Sequence, residues 1–207
     1  MRKQILILGL LSLSLVQFTY AQKSKLDSTF KRCFVGSSAF ILINLKPNQV
    51  NPPNFGQLNL GYRITEKDAV SIELKTWKYA WSIGIPYGDS FEAPEEKFPG
   101  YVRTCGIALA YQRFLWKRFY AAIHAMNGQQ NYYDTNNKKI QNGYQLFMTY
   151  RLGYQVPLFK NKFFIEPSVA MTHRPIDSNM PESFKVLDNK WPKTFFPEPG
   201  LHFGYRF

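Results

Sequence analysis

Residues 144–156 read YQLFMTYRLGYQV. Tyr144, Leu146, Met148, Tyr150, Leu152, Tyr154 and Val156 share one parity, while Gln145, Thr149, Arg151, Gly153 and Gln155 dominate the other. Successive side chains of an extended chain point to opposite faces, so this alternation predicts a strand with one apolar and one polar face. Working outward, the same pattern or an approximation of it occupies 33–45, 55–65, 69–80, 102–115, 118–128, 143–157, 162–173 and 197–207. Each segment is near the roughly 9–11 residues that a tilted strand needs to cross a bilayer. Gly and Pro punctuate nearly every segment, which excludes a helix-rich reading.

The spacing of these segments predicts how they connect. Connections near Thr65–Asp68, Trp116–Lys117 and Phe159–Asn161 are short. Those at about 46–54, 81–101, 129–142 and 174–196 are long. Short turns at one end and long loops at the other are how outer-membrane barrels are built. The expected fold is all-β: a closed antiparallel up-and-down transmembrane β-barrel of eight strands, with short periplasmic turns, long extracellular loops and both termini periplasmic. An internal repeat agrees with it. Four alternate strands end as Leu60-Gly61-Tyr62-Arg63-Ile64, Leu109-Ala110-Tyr111-Gln112-Arg113, Leu152-Gly153-Tyr154-Gln155-Val156 and Phe203-Gly204-Tyr205-Arg206-Phe207. In each a small residue faces in, a tyrosine out, and Arg or Gln in. Tyr62, Tyr111, Tyr154 and Tyr205 are therefore expected at one height, as a periplasmic aromatic girdle.

The N-terminus predicts export. Arg2 and Lys3 precede an apolar run from Ile5 to Val16, and Thr19-Tyr20-Ala21 supplies a signal-peptidase site. The run is shorter than the roughly 20 apolar residues of a spanning helix. The expected organisation is a cleaved signal at 1–21, a periplasmic segment at 22–32 and the barrel at 33–207. Cys33 follows Phe30-Lys31-Arg32, which is no lipobox. The formal net charge is +12. Nucleic acid is excluded as partner because an exported chain leaves the cytoplasm. Two readings of the charge remain: attraction to anionic lipopolysaccharide, or a solvated basic surface that includes Lys138-Lys139, Lys190 and Lys193.

The chain resembles the small outer-membrane barrels of Gram-negative bacteria, the OmpA- and OmpX-like class. At motif level the resemblance is carried by Leu201, Phe203, Tyr205 and Phe207, alternating up to a final Phe207. The resemblance implies that Phe203, Tyr205 and Phe207 are read by the barrel-assembly machinery. It also implies outer-membrane lipids and lipopolysaccharide as surroundings, a monomer, and localisation in the outer membrane. Some barrels of this size are lipid A deacylases or acyltransferases, and His124, Ser168 and a glutamate are the residue types of such a site. Deacylases of that type carry His-x-Ser on one strand, whereas this chain has His124-Ala125-Met126. A soluble ligand-binding barrel, with the apolar parity turned inward, is a third reading.

Parity assigns the interior. Arg63, Glu73, Lys75, His124, Arg151, Glu166, Ser168, Glu198, His202 and Arg206 form the expected lumen polar network. Eight strands leave room for side chains and little else. Ion pairs are expected between Arg63 and Glu73 and between Arg151 and Glu166, as diagonal neighbours across two hairpins. Two readings stay open: pairs that plug the barrel, or a polar path forming a narrow pore. Glu166-Pro167 and Glu198-Pro199 are expected to mark bulges. Loop aromatics, including Trp81, Tyr87, Phe91, Phe98, Tyr101, Phe184, Trp191 and Phe195, are candidates for a cap or for ligand contact. No cofactor or metal motif stands out. Cys33 and Cys105 are expected at opposite ends and unbridged.

Overall fold

Alternation becomes a ladder when each strand finds a neighbour on both sides. A computed structural model describes residues 31–45, 53–79, 99–189 and 192–207. The expected signal at 1–21, most of the segment 22–32, and the aromatics Trp81, Tyr87, Phe91, Phe98 and Trp191 lie outside the described residues. The elements are β1 (Cys33–Ser38), a 3-10 helix (Ala39–Leu45), β2 (Gly56–Arg63), β3 (Asp68–Tyr79), β4 (Gly100–Trp116), β5 (Phe119–Asp134), β6 (Lys139–Tyr154), β7 (Val156–Leu158), β8 (Phe163–Ser178), α1 (Glu182–Asp188) and β9 (Thr194–Arg206). No helix among the described residues is long and apolar enough to cross a membrane.

The nine strands form one antiparallel sheet in the order β6-β5-β4-β3-β2-β1-β9-β8-β7. Pairing of β6 with β8 closes eight of them into a ring, and β7 continues the line of β6 along β8. The fold is therefore all-β and antiparallel, with a ring of eight strands.

The turns at one end are tight, and local chemistry fixes them. Between β2 and β3, Thr65 Oγ1 accepts from the Asp68 amide at 2.9 Å and donates to Asp68 Oδ2 at 2.7 Å. Between β4 and β5, Lys117 takes φ 51° in a two-residue turn. Between β7 and β8, Phe159, Lys160 and Asn161 all have positive φ. We call this the turn end; β1 starts there and β9 finishes there.

Three expectations about the elements are corrected. The strand expected at 33–45 ends at Ser38, because Phe40–Leu45 is a near-continuous apolar run with no alternation to hold a ladder. Ser38 Oγ accepts from the Phe40 amide at 3.2 Å, and the Asn44 side chain clamps the backbone of Phe55 at 2.7 and 2.8 Å. The long connection expected at 129–142 is almost wholly strand, leaving only a turn at 135–138. There Asp134 Oδ1 accepts from the amides of Asn136 and Lys138, both at 2.8 Å. The strands outlast their hydrophobic signal because Asn127, Gln129 and Asn131 face outward while the ladder to β4 continues unbroken. Polar residues on both faces erase the period-two signal without ending the pairing. Likewise β8 runs on to Ser178 and β9 starts at Thr194, narrowing the connection expected at 174–196.

Glu166-Pro167 is not a bulge: Glu166 faces His202 and Pro167 faces Leu201 in regular register. The proline coincides instead with a gap on its other side. The ladder from β6 stops at Gly153↔Ser168 and resumes from β7 at Val156↔Ile165. A residue with no N–H sits where no bond is asked of it. The β8–β9 irregularity lies between Ala170 and Thr172, next to Glu198.

Candidate functional site: the ring interior

The two faces of the ring differ sharply. Leu60, Ile72, Leu109, Leu152 and Leu201 all face outward and are exposed, Leu109 at 64%. Inward residues are buried although many are polar: Glu73 is 2% exposed, and Gln130, Gln145, Thr149, Arg151, Glu166 and Arg206 are buried too.

At the turn end the interior has an aromatic floor. Phe34 packs edge-on against Phe164 at 5.8 Å, and Phe114 against Tyr120 at 5.9 Å. Arg63 stacks over Phe114 and Arg206 over Phe164, both at 4.7 Å. The repeat explains the space for these rings. A Cβ at Gly61 would collide with Phe34, and one at Gly153 with Tyr120. The small inward residue of the repeat is a seat for a ring from the adjacent strand.

Above the floor lies the polar network, in three groups. Glu73 is paired with Lys75 at 2.7 Å and with His124 Nδ1 at 3.0 Å. Arg151 donates to Ser168 Oγ at 2.8 Å and meets Glu198 at 3.6 Å, and Ser168 donates to the Gly200 carbonyl at 3.2 Å. Glu166 accepts from Gln155 at 2.6 Å and Gln112 at 3.2 Å, and Arg206 donates to Gln155. His202 faces the small cavity left among them, of about 30 Å³. That is room for about one water.

The two expected ion pairs are not the ones formed. Glu73 pairs with Lys75 rather than Arg63, and Arg151 with Glu198 rather than Glu166. The register gives the reason. Arg63 faces Ala69, and Arg151 faces Ala170, so each lies four positions along from its expected partner. At about 3.3 Å per residue that is about 13 Å. Arg63 instead donates to the Glu66 carbonyl at 2.6 Å. His124 and Ser168 share no hydrogen bond, since Glu73 holds one and Arg151 the other.

Toward the opposite, loop end the interior turns apolar. Trp77, Val102, Ala108, Met126, Tyr132 and Phe184 form one buried cluster. Phe184 comes from α1 and meets Tyr132 edge-on at 5.1 Å. Beside it, Arg174 is pinned to Asp177 at 2.6 Å and to Asp188 of α1 at 2.8 Å. None of Arg174, Asp177 and Asp188 was found by sequence. The region read as loop, and unbroken alternation would put Arg174 and Asp177 on opposite faces; the shift in pairing between Leu146 and Met148 against β8 brings them to one side.

On the outside, Tyr62, Tyr111 and Tyr154 are exposed and Tyr205 is half-buried. Tyr62 and Tyr111 share a row, both facing Val70. Phe203 and Tyr205 face Ser37 and Val35 across the β1–β9 seam, and the Phe207 amide donates to the Cys33 carbonyl at 3.0 Å. Cys33 and Cys105 are both free. Among the described residues, no cluster of three or more His, Cys, Asp or Glu is placed to hold a metal. No known family model matches the chain, and no curated protein matches it in sequence.

Proposed function

We propose that the ring is a monomeric transmembrane β-barrel of the bacterial outer membrane, of the OmpA- and OmpX-like class, closed inside by its own side chains. The observation that carries this reading is the inverted partition of its faces. Buried Glu73, Gln130, Gln145, Arg151, Glu166 and Arg206 lie within, while exposed Leu, Ile, Val and Tyr cover the outer wall. A soluble protein gains stability by burying such apolar surface, at roughly 25 cal/mol per Å². Here that surface is satisfied only by a hydrocarbon solvent around the wall. In this reading Tyr62, Tyr111, Tyr154 and Tyr205 form the girdle nearest the turn end, which is periplasmic.

The packed interior favours a structural or surface-interaction role over conduction, because the cavity among Glu73, His124, Arg151 and His202 holds about one water. His124 and Ser168 are each engaged with a separate partner, so these two do not form a nucleophile–base pair with one another. The test is twofold. The refolded chain in detergent should show heat-modifiable mobility and negligible single-channel conductance in a planar bilayer. A chain that stays monomeric and folded without detergent would overturn the membrane reading. A stable conductance would overturn the sealed interior alone.

A further inference from the structure

The β3–β4 hairpin carries a charged pair on its outer face at each end, one of opposite charges and one of like charges. At the turn end Asp68 faces Arg113 directly across the ladder, bonded at 2.8 Å, with the Tyr111 hydroxyl donating to the same carboxylate at 2.6 Å. At the loop end Lys78 faces Arg103. Both share the parity of Ile72, Leu74, Ile107 and Leu109, so both point outward. Like charges directly opposite one another destabilise a strand pair. Among the described residues no carboxylate forms an ion pair with either. Among the described residues, what meets Lys78 is an aromatic face rather than an anion. The Lys78 ammonium sits 4.3 Å from the centroid of Tyr101, whose ring stacks on Tyr133 at 4.9 Å.

Directly toward the turn end lies a polar row, Thr76, Cys105 and Gln129, in register across β3, β4 and β5. This row is itself part of the lining of a groove of about 830 Å³ on the outer wall, whose lining also includes Ile41, Leu58, Leu74 and Ile107. Along the wall the cation pair is thus followed by a groove that starts at a polar row and continues over Leu74, Ile107 and Leu58. An acylated amphiphile with a phosphate headgroup has the same order of chemistry: anion, polar linker, hydrocarbon.

We propose that Lys78 and Arg103 together bind a phosphate of a lipid A-type glycolipid whose acyl chain lies in this groove. The inference rests on the outer-membrane reading, in which the loop end meets the outer leaflet. A phosphate between the two side chains turns their repulsion into two charge-assisted contacts, and the planar guanidinium adds a bidentate fork.

The test uses the full chain, refolded in detergent and checked for heat-modifiable mobility, with lipid adducts read by native mass spectrometry. Four probes are compared: bis-phosphorylated lipid A, the same lipid stripped of both phosphates, phosphatidylglycerol and inorganic phosphate. The expected result is a saturable one-to-one adduct with phosphorylated lipid A, at least about tenfold tighter than with the stripped lipid. The double variant Lys78→Gln/Arg103→Gln should weaken it by about tenfold or more, and the turn-end double variant Lys117→Gln/Arg118→Gln should leave it unchanged. Equal binding of the stripped lipid to the wild-type chain overturns the proposal even if the first double variant fails to fold. So does equal binding of phosphatidylglycerol, displacement by inorganic phosphate at similar concentration, or a folded double variant within about twofold of wild type. Loss of heat-modifiable behaviour in the wild-type chain marks failure of the membrane reading; a folded chain without the adduct marks failure of this inference alone.

Discussion

The middle of the interior and its loop end are both packed, but by different physics. The middle is held by groups on the wall itself: Glu73, Lys75, His124, Arg151 and Glu166 all sit on strands whose backbones are locked in the ladder. At the loop end α1, which lies outside the ladder, packs through side chains, Phe184 in the apolar cluster and Asp188 on Arg174. A strand-borne network cannot leave without unzipping the sheet. A short helix held through its side chains can. The contrast is between packing built into the sheet and packing carried by a separate element.

The sharpest way to break the comparison is Arg174→Ala. It removes the guanidinium that bridges the buried Asp177 and Asp188, and the expected loss is about 3–5 kcal/mol, read from denaturant unfolding of the folded chain in detergent. A loss below about 1 kcal/mol would mean the loop-end cluster is solvated and α1 is not docked by charge.

Phe184→Ala removes the ring of α1 from its cluster and is expected to cost about 3 kcal/mol. Its second readout carries the argument: conductance should stay negligible, because the middle layer still fills the ring. An open channel in this variant would show that the loop-end helix, rather than the polar network, is the seal.

Arg151→Ala attacks the middle. Ser168 keeps its bond to the Gly200 carbonyl, and Glu198 has a 31% exposed side chain and partial access to water. The cost is therefore set at about 1–2 kcal/mol, less than for a fully buried pair. Small, flickering conductance should appear here and be absent in Phe184→Ala.

The smallest effect expected is a coupling. Arg151 and Phe184 share no partner, so the double variant should equal the sum of the single changes within about 0.5 kcal/mol. A larger coupling energy would merge the two layers into one unit.

The sequence revealed what depends on side-chain parity and hid what depends on register. Outward Leu60, Leu109 and Leu152 against inward Glu73, Gln145 and Arg151 follow directly from alternation. The partner of Glu73 does not, because Arg63 is brought opposite Ala69 by a turn geometry that Thr65 and Asp68 decide. Gln155 was legible as inward, yet its place between Glu166 and Arg206 depends on the ladder gap beside Pro167. The extra length of β5 was invisible because Asn127, Gln129 and Asn131 carry no hydrophobic signal on the outer face. The apolar cluster was missed for a related reason: Phe184 belongs to a seven-residue helix in a stretch with no strand period.

The seam where β1 meets β9 has a consequence for how the molecule forms. β1 is only six residues long and joins β9 through pairs such as Phe34↔Arg206, among the most distant in sequence that the ring contains. Hairpins such as β4–β5 and β5–β6 can zip locally, but this pairing waits until the final strand has been delivered. Pairing across such separations is slow. Until it occurs, β1 and β9 are two bare edges, each with unpaired amides and carbonyls on offer. A second chain at the same stage offers the same edges, so closure within one chain competes with strand exchange between chains, and the balance shifts toward exchange as concentration rises.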